Sequence, residues 1–195
     1  MFLAGRVPNL LVVHPSVNAA TLTDIIEIAK ASREGLNWGS SGSGSVQHMA
    51  MELFRISAGI RLNHIPYKSG APALADLIGG HLKFYFSNAA ASTNLVKAGS
   101  LRAIAHTGRG RLPALPNLPP VADTLPGFEA YEWNGVFVPT GTPRAIVERL
   151  NAGSMQSSVF RRSWSALRRS ACRPGRISLP NSARSSPPRL RSGPR

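Results

Sequence analysis

Cysteine is nearly absent from this chain. Cys172 stands alone among 195 residues, so no intrachain disulfide can form and the redox compartment stays unspecified. Acidic residues are also few: 9 Asp and Glu stand against 23 Lys and Arg, for a net charge of +14. No two carboxylates are spaced for a shared pocket, which argues against hydrolysis by paired acids. Long apolar runs are missing, and no stretch approaches the roughly 20 residues that cross a bilayer. Met1 to Leu11 carries one basic residue, Arg6, and no small-residue cleavage site after an apolar block. No secretory leader is therefore expected within it. What remains suffices for a packed core, since 43% of the residues are hydrophobic. The length fits one ordinary domain or two small ones.

The charge is uneven. Met1 to Ser154 holds 13 Lys and Arg against 9 acids, or +4, whereas Met155 to Arg195 holds 10 Arg and no acid, or +10. The basic character belongs to the tail. Arg161 to Arg195 could attract phosphates without sequence preference. It carries no recognised nucleic-acid module, and Trp164 is its only aromatic after Phe160. Binding to nucleic acid or an acidic surface through this tail is the alternative function; no specific nucleic-acid partner is expected.

The stretch with the most chemistry is Leu36 to Glu52, LNWGSSGSGSVQHMAME. It reads as a short strand, a small-residue turn and the start of a helix. Glycines let backbone approach a ligand closely, and serine hydroxyls both donate and accept. The first amides of the following helix lack intrahelical partners and favour an anion. The loop is thus a candidate seat for a carboxylate or phosphate. Against that stand a plain Gly/Ser linker and a simple N-cap at Ser45. No Gly-Lys-Ser/Thr follows, so this is not a Walker loop, and no third glycine completes a dinucleotide fingerprint.

The rest of the chain alternates. Strands are expected at Asn9–His14, Leu36–Trp38, Leu62–Pro66, Leu82–Phe86 and Leu101–His106. Helices are expected at Thr21–Ala31, capped by Thr21 or Thr23, then at Val46–Ala58, Ala71–Ile78 and Ala89–Ala98. Alternation at this spacing predicts a mainly parallel α/β sheet. Five prolines between Arg111 and Pro126 exclude regular structure there. Ala130–Val138 reads as a strand interrupted by Gly135, and Thr142-Pro143 opens a helix whose pattern stops after Ala152.

Taken in order, six segments resemble one family. They are PNLLVVHPSV from Pro8, NWGSSGSGSVQHMAMELF from Asn37, HIPYKSGAPALADLIGGH from His64, KAGSLRAIA from Lys97, PALPNLPPVAD from Pro113 and GVFVPTGTPRAIVERLNA from Gly135. Together they resemble the tripartite tricarboxylate transporter substrate-binding proteins, also called Bordetella uptake receptors. The resemblance implies a periplasmic, two-lobed α/β receptor of Venus-flytrap architecture. Such receptors close around a small carboxylate, deliver it to membrane transporter subunits, use no cofactor and catalyse nothing. It implies residues 1–14 as a crossing strand and start of lobe two, and 15–130 as the ligand-binding lobe two. Residues 131–154 become the crossing strand and helix of an incomplete lobe one, and 155–195 a disordered basic tail.

The start and the tail depart from the family. The first part of lobe one, with its Gly-rich ligand loop, does not precede Pro8. After Ser154 the family's helices give way to Arg, Ser and Pro. Permissible codons for Met155 onward allow a frame, displaced by two nucleotides, that resembles the family's C-terminus in residues and length. The expectation is a frameshifted tail on a fragment gene.

Within this resemblance Ser40, Ser41, Gly42, Ser43 and Ser45 match the family's second ligand loop. Tyr67 and Lys68 follow a strand end, where open α/β sheets bind ligands; Lys68 either attracts an anion or is an ordinary solvated lysine. Asn88 matches a third binding position, or caps a helix. His48 has no second ligand at zinc spacing, so no metal site is expected. Trp133 and Phe137 are read as core or crossing-strand packing. Ser41 with His48 would suit a small hydrolase, but no nucleophile elbow or fixed acid accompanies them.

Overall fold

The computed structural model describes residues 2–156. Six strands form one sheet in the order β3-β2-β4-β1-β5, with β6 on the first half of β1. The strands are β1 (Phe2–Val13), β2 (Leu36–Ser40), β3 (Leu62–Pro66), β4 (Phe84–Asn88), β5 (Arg102–His106) and β6 (Tyr131–Val136). The helices are α1 (Leu22–Ala31), α2 (Val46–Ala58), α3 (Gly70–Ile78), α4 (Ala89–Lys97) and α5 (Arg144–Gln156). The expected α/β class is the observed one, but the sheet is mixed and not mainly parallel as expected, with three antiparallel pairings against two parallel ones. β2 runs parallel to β3 and β4. β1 runs antiparallel to both β4 and β5, between them. Apolar periodicity reports burial and not direction, so this reversal was not legible in the sequence.

β1 starts seven residues before the expected Asn9. Residues 2–8 pair with β6, from Phe2 opposite Val136 to Pro8 opposite Tyr131. Residues 9–13 lie in the middle of the sheet and are buried on both faces, which explains the unbroken run Leu10 to Val13. Their side chains alternate between two cores. Leu11 and Val13 join Ile25, Trp38, Met51, Phe54, Phe84 and Phe86 on the α1/α2 side. Leu10 and Val12 join Leu77, Leu82, Tyr85 and Leu101 on the α3/α4 side. Phe54, Phe86 and Phe128 cluster with ring centroids 6.1 to 6.5 Å apart.

Local signals set the helix ends. Thr21 caps α1 by a reciprocal box: its Oγ1 accepts from Asp24 N at 3.2 Å, and Asp24 Oδ2 accepts from Thr21 N at 2.9 Å. The backbone N–H groups of Thr21 and Ala20, Thr21 first, donate to the Asp24 carboxylate and hold it below its usual range. Gly59 closes α2 with φ of 61°, a left-handed cap that glycine adopts without strain. The proline segment contains one 3-10 turn, Val121–Asp123, and isolated bridges at Leu112, Leu115 and Pro120. α5 continues to Gln156, two residues into the expected tail. The expectations for the remaining tail, its disorder and its arginine-mediated binding, lie outside the described residues.

Candidate functional site

Three helices start at one end of the sheet. α2 follows β2, α3 follows β3 and α4 follows β4, with Ser45, Ser69 and Asn88 as their N-caps. Unpaired amides and helix dipoles therefore converge on the strand ends. β1 brings a fourth element there. Its Asn9 lies opposite Asn88 and its Val7 opposite Glu132. Two residues along a strand return to the same face, so β6 places Glu132 beside Asn88. Between them opens a cleft of about 710 Å³ whose polar lining includes Ser41, Ser45, Gln47, Tyr85, Asn88 and Glu132.

The Ser/Gly loop is held from inside. Gly42 and Gly44 have φ of 122° and 79°, which side chains rarely tolerate. Ser40 is fully buried; its Oγ pairs with His64 Nε2 at 2.6 Å and accepts from Gly42 N at 3.1 Å. Ser45 Oγ accepts from His48 N at 3.2 Å, and His48 Nδ1 accepts from Gly44 N at 3.0 Å. The His48 and His64 rings stack at 4.2 Å, with Trp38 stacked on His64 at 4.5 Å. Burial, then the neighbouring His48, lowers the His64 pKa.

The structure divides the expected site residues. Ser41, Ser45 and Asn88 line the cleft. Ser40 and Gly42 shape the loop, and Ser43 is exposed on its outside. Tyr67 is half-buried and its hydroxyl donates to Asp76 at 2.7 Å. Burial and that carboxylate push its pKa up to about 12. Lys68 is exposed. Neither Tyr67 nor Lys68 lines the cleft. Asn88 does cap its helix, since Oδ1 accepts from Ala90 N at 2.8 Å, while Nδ2 donates to Glu132. Trp133 lines the cleft rim and is 55% exposed, and Phe137 is 57% exposed, so neither belongs to the core. They touch edge-on at 6.2 Å.

Gln47, Tyr85 and Glu132 line the cleft and escaped the sequence reading. Gln47 Nε2 donates to Glu132 Oε2 at 3.2 Å, and Asn88 Nδ2 donates to the same oxygen at 2.8 Å. Ser41 Oγ in turn donates to Gln47 Oε1 at 2.7 Å. The Ser41–His48 pair weighed for hydrolysis does not form, because each side chain bonds elsewhere. Tyr85, almost fully buried, has its pKa raised to about 12 by burial and then by the Glu132 charge. A Cβ added at Gly70 would stand 3.2 Å from the Tyr85 hydroxyl, which keeps that side of the cleft open to backbone. A second cavity of about 490 Å³ borders Thr21, Ala105 and Pro119; among the described residues it has no charged lining and four alanines in its walls, so it suits a carboxylate less well.

Comparison with known proteins gives one consistent answer. The model of a family described as tripartite tricarboxylate transporter family receptor matches residues 2–166. The match runs past Ser154, where the departure was expected. The UPF0065 protein in the tcbD-tcbE intergenic region of Pseudomonas sp. strain P51 is 36% identical over 77% of this chain and 45% of its own length. Protein BugT of Bordetella pertussis is 33% identical over 76% of this chain and 46% of its own. The solved structure of R. palustris Rpa4515 with adipate is 35% identical, with a TM-score of 0.81 over 91% of this chain and 60% of that one. The chain spans about half the length of the curated relatives it matches. With this sheet, this strand-end cleft and a family match over most of its length, the chain belongs to the tripartite tricarboxylate transporter receptor family.

Proposed function

We propose that residues 9–130 form the ligand-binding lobe of a solute receptor, with β6 and α5 as its crossing segment. The lobe captures a small carboxylate for a tripartite tricarboxylate-type membrane transporter. The family is one of periplasmic solute-binding receptors. The observation that carries the reading is the cleft where three helix N-termini meet amide and hydroxyl donors. A carboxylate there needs no arginine. Ser45 Oγ accepts from His48 N and keeps its own proton to donate, and first-turn amides of α2 and α4 supply dipole and hydrogen bonds. The related Rpa4515 with adipate supports a diacid-sized occupant of this fold. Capture is binding alone, with no bond made or broken.

The test is an amide NMR titration of the full chain with a series of small mono- and dicarboxylates. The expected result is saturable shifts centred on Ser41, Ser45, Gln47 and Asn88, weakened by about tenfold or more in a Ser41→Ala, Ser45→Ala variant. No shift at millimolar excess of any acid overturns the reading.

A further inference from the structure

We propose that Glu132 is the specificity-determining residue of this cleft, selecting carboxylates that also carry an ammonium group over plain dicarboxylates of the same length. This rests on the carboxylate reading above and narrows it. Among the described residues Glu132 is the one charged side chain in the cleft lining. Among the described residues no Lys or Arg pairs with it. Its Oε2 takes both amide donors, Gln47 Nε2 at 3.2 Å and Asn88 Nδ2 at 2.8 Å. Those donors face one way only. The opposite end of the Gln47 amide is held by Ser41 Oγ, and that of Asn88 by Ala90 N. Flipping either amide would turn a carbonyl against a carboxylate.

The consequence is a cleft of two signs. The Ser45 side, at the start of α2, offers hydroxyl and amide donors to an anion. The Glu132 side offers a carboxylate oxygen, Oε1, with no protein donor among the described residues. A second ligand carboxylate arriving there meets like charge and finds its amide donors already engaged. An ammonium arriving there gains a charge-assisted hydrogen bond. The Tyr85 phenol beneath, its pKa raised partly by this same carboxylate, supplies no competing charge.

The experiment uses two matched pairs, succinate with aspartate and glutarate with glutamate, which differ by the ammonium group alone. Each is titrated at pH 7 into the full chain and into Glu132→Gln, with amide NMR reading millimolar affinities. Expected is at least about tenfold tighter binding of the amino member to the wild-type chain, and loss of that preference in E132Q. The glutamine is isosteric and still accepts from Asn88. If its spectrum changes beyond the cleft, the wild-type ratios alone decide. A wild-type chain that binds both members equally, or favours the plain diacid, overturns the inference and leaves the carboxylate reading standing. So does an E132Q variant that keeps the preference with its spectrum intact. Failure of all four acids to bind either protein overturns the inference, and the carboxylate reading falls with it when the wider acid series also fails to bind.

Discussion

The two halves of β1 belong to different worlds. Residues 9–13 have strands on both edges and apolar cores on both faces, and Leu10 to Val13 have no exposed surface. Residues 2–8 pair with β6. β6 and the segment after it expose Trp133, Val136, Phe137, Ile146 and Leu150, each at half or more of its surface. One strand therefore joins a closed, doubly covered sheet to a segment whose apolar side chains face out. The lesson is that apolar content does not measure contribution to stability. Burial against partners does, at about 25 cal/mol per Å² of apolar surface removed from water.

Truncation gives the largest contrast. Phe86→Ala, in the three-phenylalanine cluster, should cost about 3–5 kcal/mol in urea unfolding, because a cavity opens in packed surroundings. Leu150→Ala and Phe137→Ala should stay within about 0.5 kcal/mol. Equal costs in the two regions would erase the comparison and show that the exposed residues are covered in solution.

A smaller effect sharpens it from the opposite direction. Gly39 looks like part of the flexible Ser/Gly loop, yet it lies within β2. A Cβ there would stand 2.5 Å from Leu82 Cδ2 and 3.2 Å from the Tyr67 ring. Leu82 is fully buried and has no room to withdraw. Gly39→Ala should cost about 1–3 kcal/mol by overpacking. Gly44→Ala meets no atom within 4 Å and suffers only its φ of 79°, so thermal melts should rank it as the milder change.

Acid is expected to have the smallest effect, confined to the closed region. Burial lowers the pKa of both His64 and His106 from the ordinary 6.5. The unfolded chain therefore takes up these protons first. The stabilisation they give is present above pH 6.5 and is lost as pH falls below it toward the folded values. Tm should drop by a few degrees on acidification from neutral pH to about 5. His64→Asn should flatten that slope. A slope unchanged in the variant would remove His64 from the account.

Much of this protein was written locally. Thr21, Ser45 and Asn88 cap helices through hydrogen bonds that span a few residues, so they were legible. The strand–helix alternation foretold the α/β class, and the order of motifs foretold the family. Part of the cleft lining, Ser41, Ser45 and Asn88, could be read at strand ends for the same reason. Only the tertiary structure turned β1 against its neighbours and sent Tyr67 to Asp76. It alone brought Glu132 to Gln47 and Asn88 across 85 and 44 residues of chain. Such meetings depend on sheet order and register, which no window of neighbouring residues encodes.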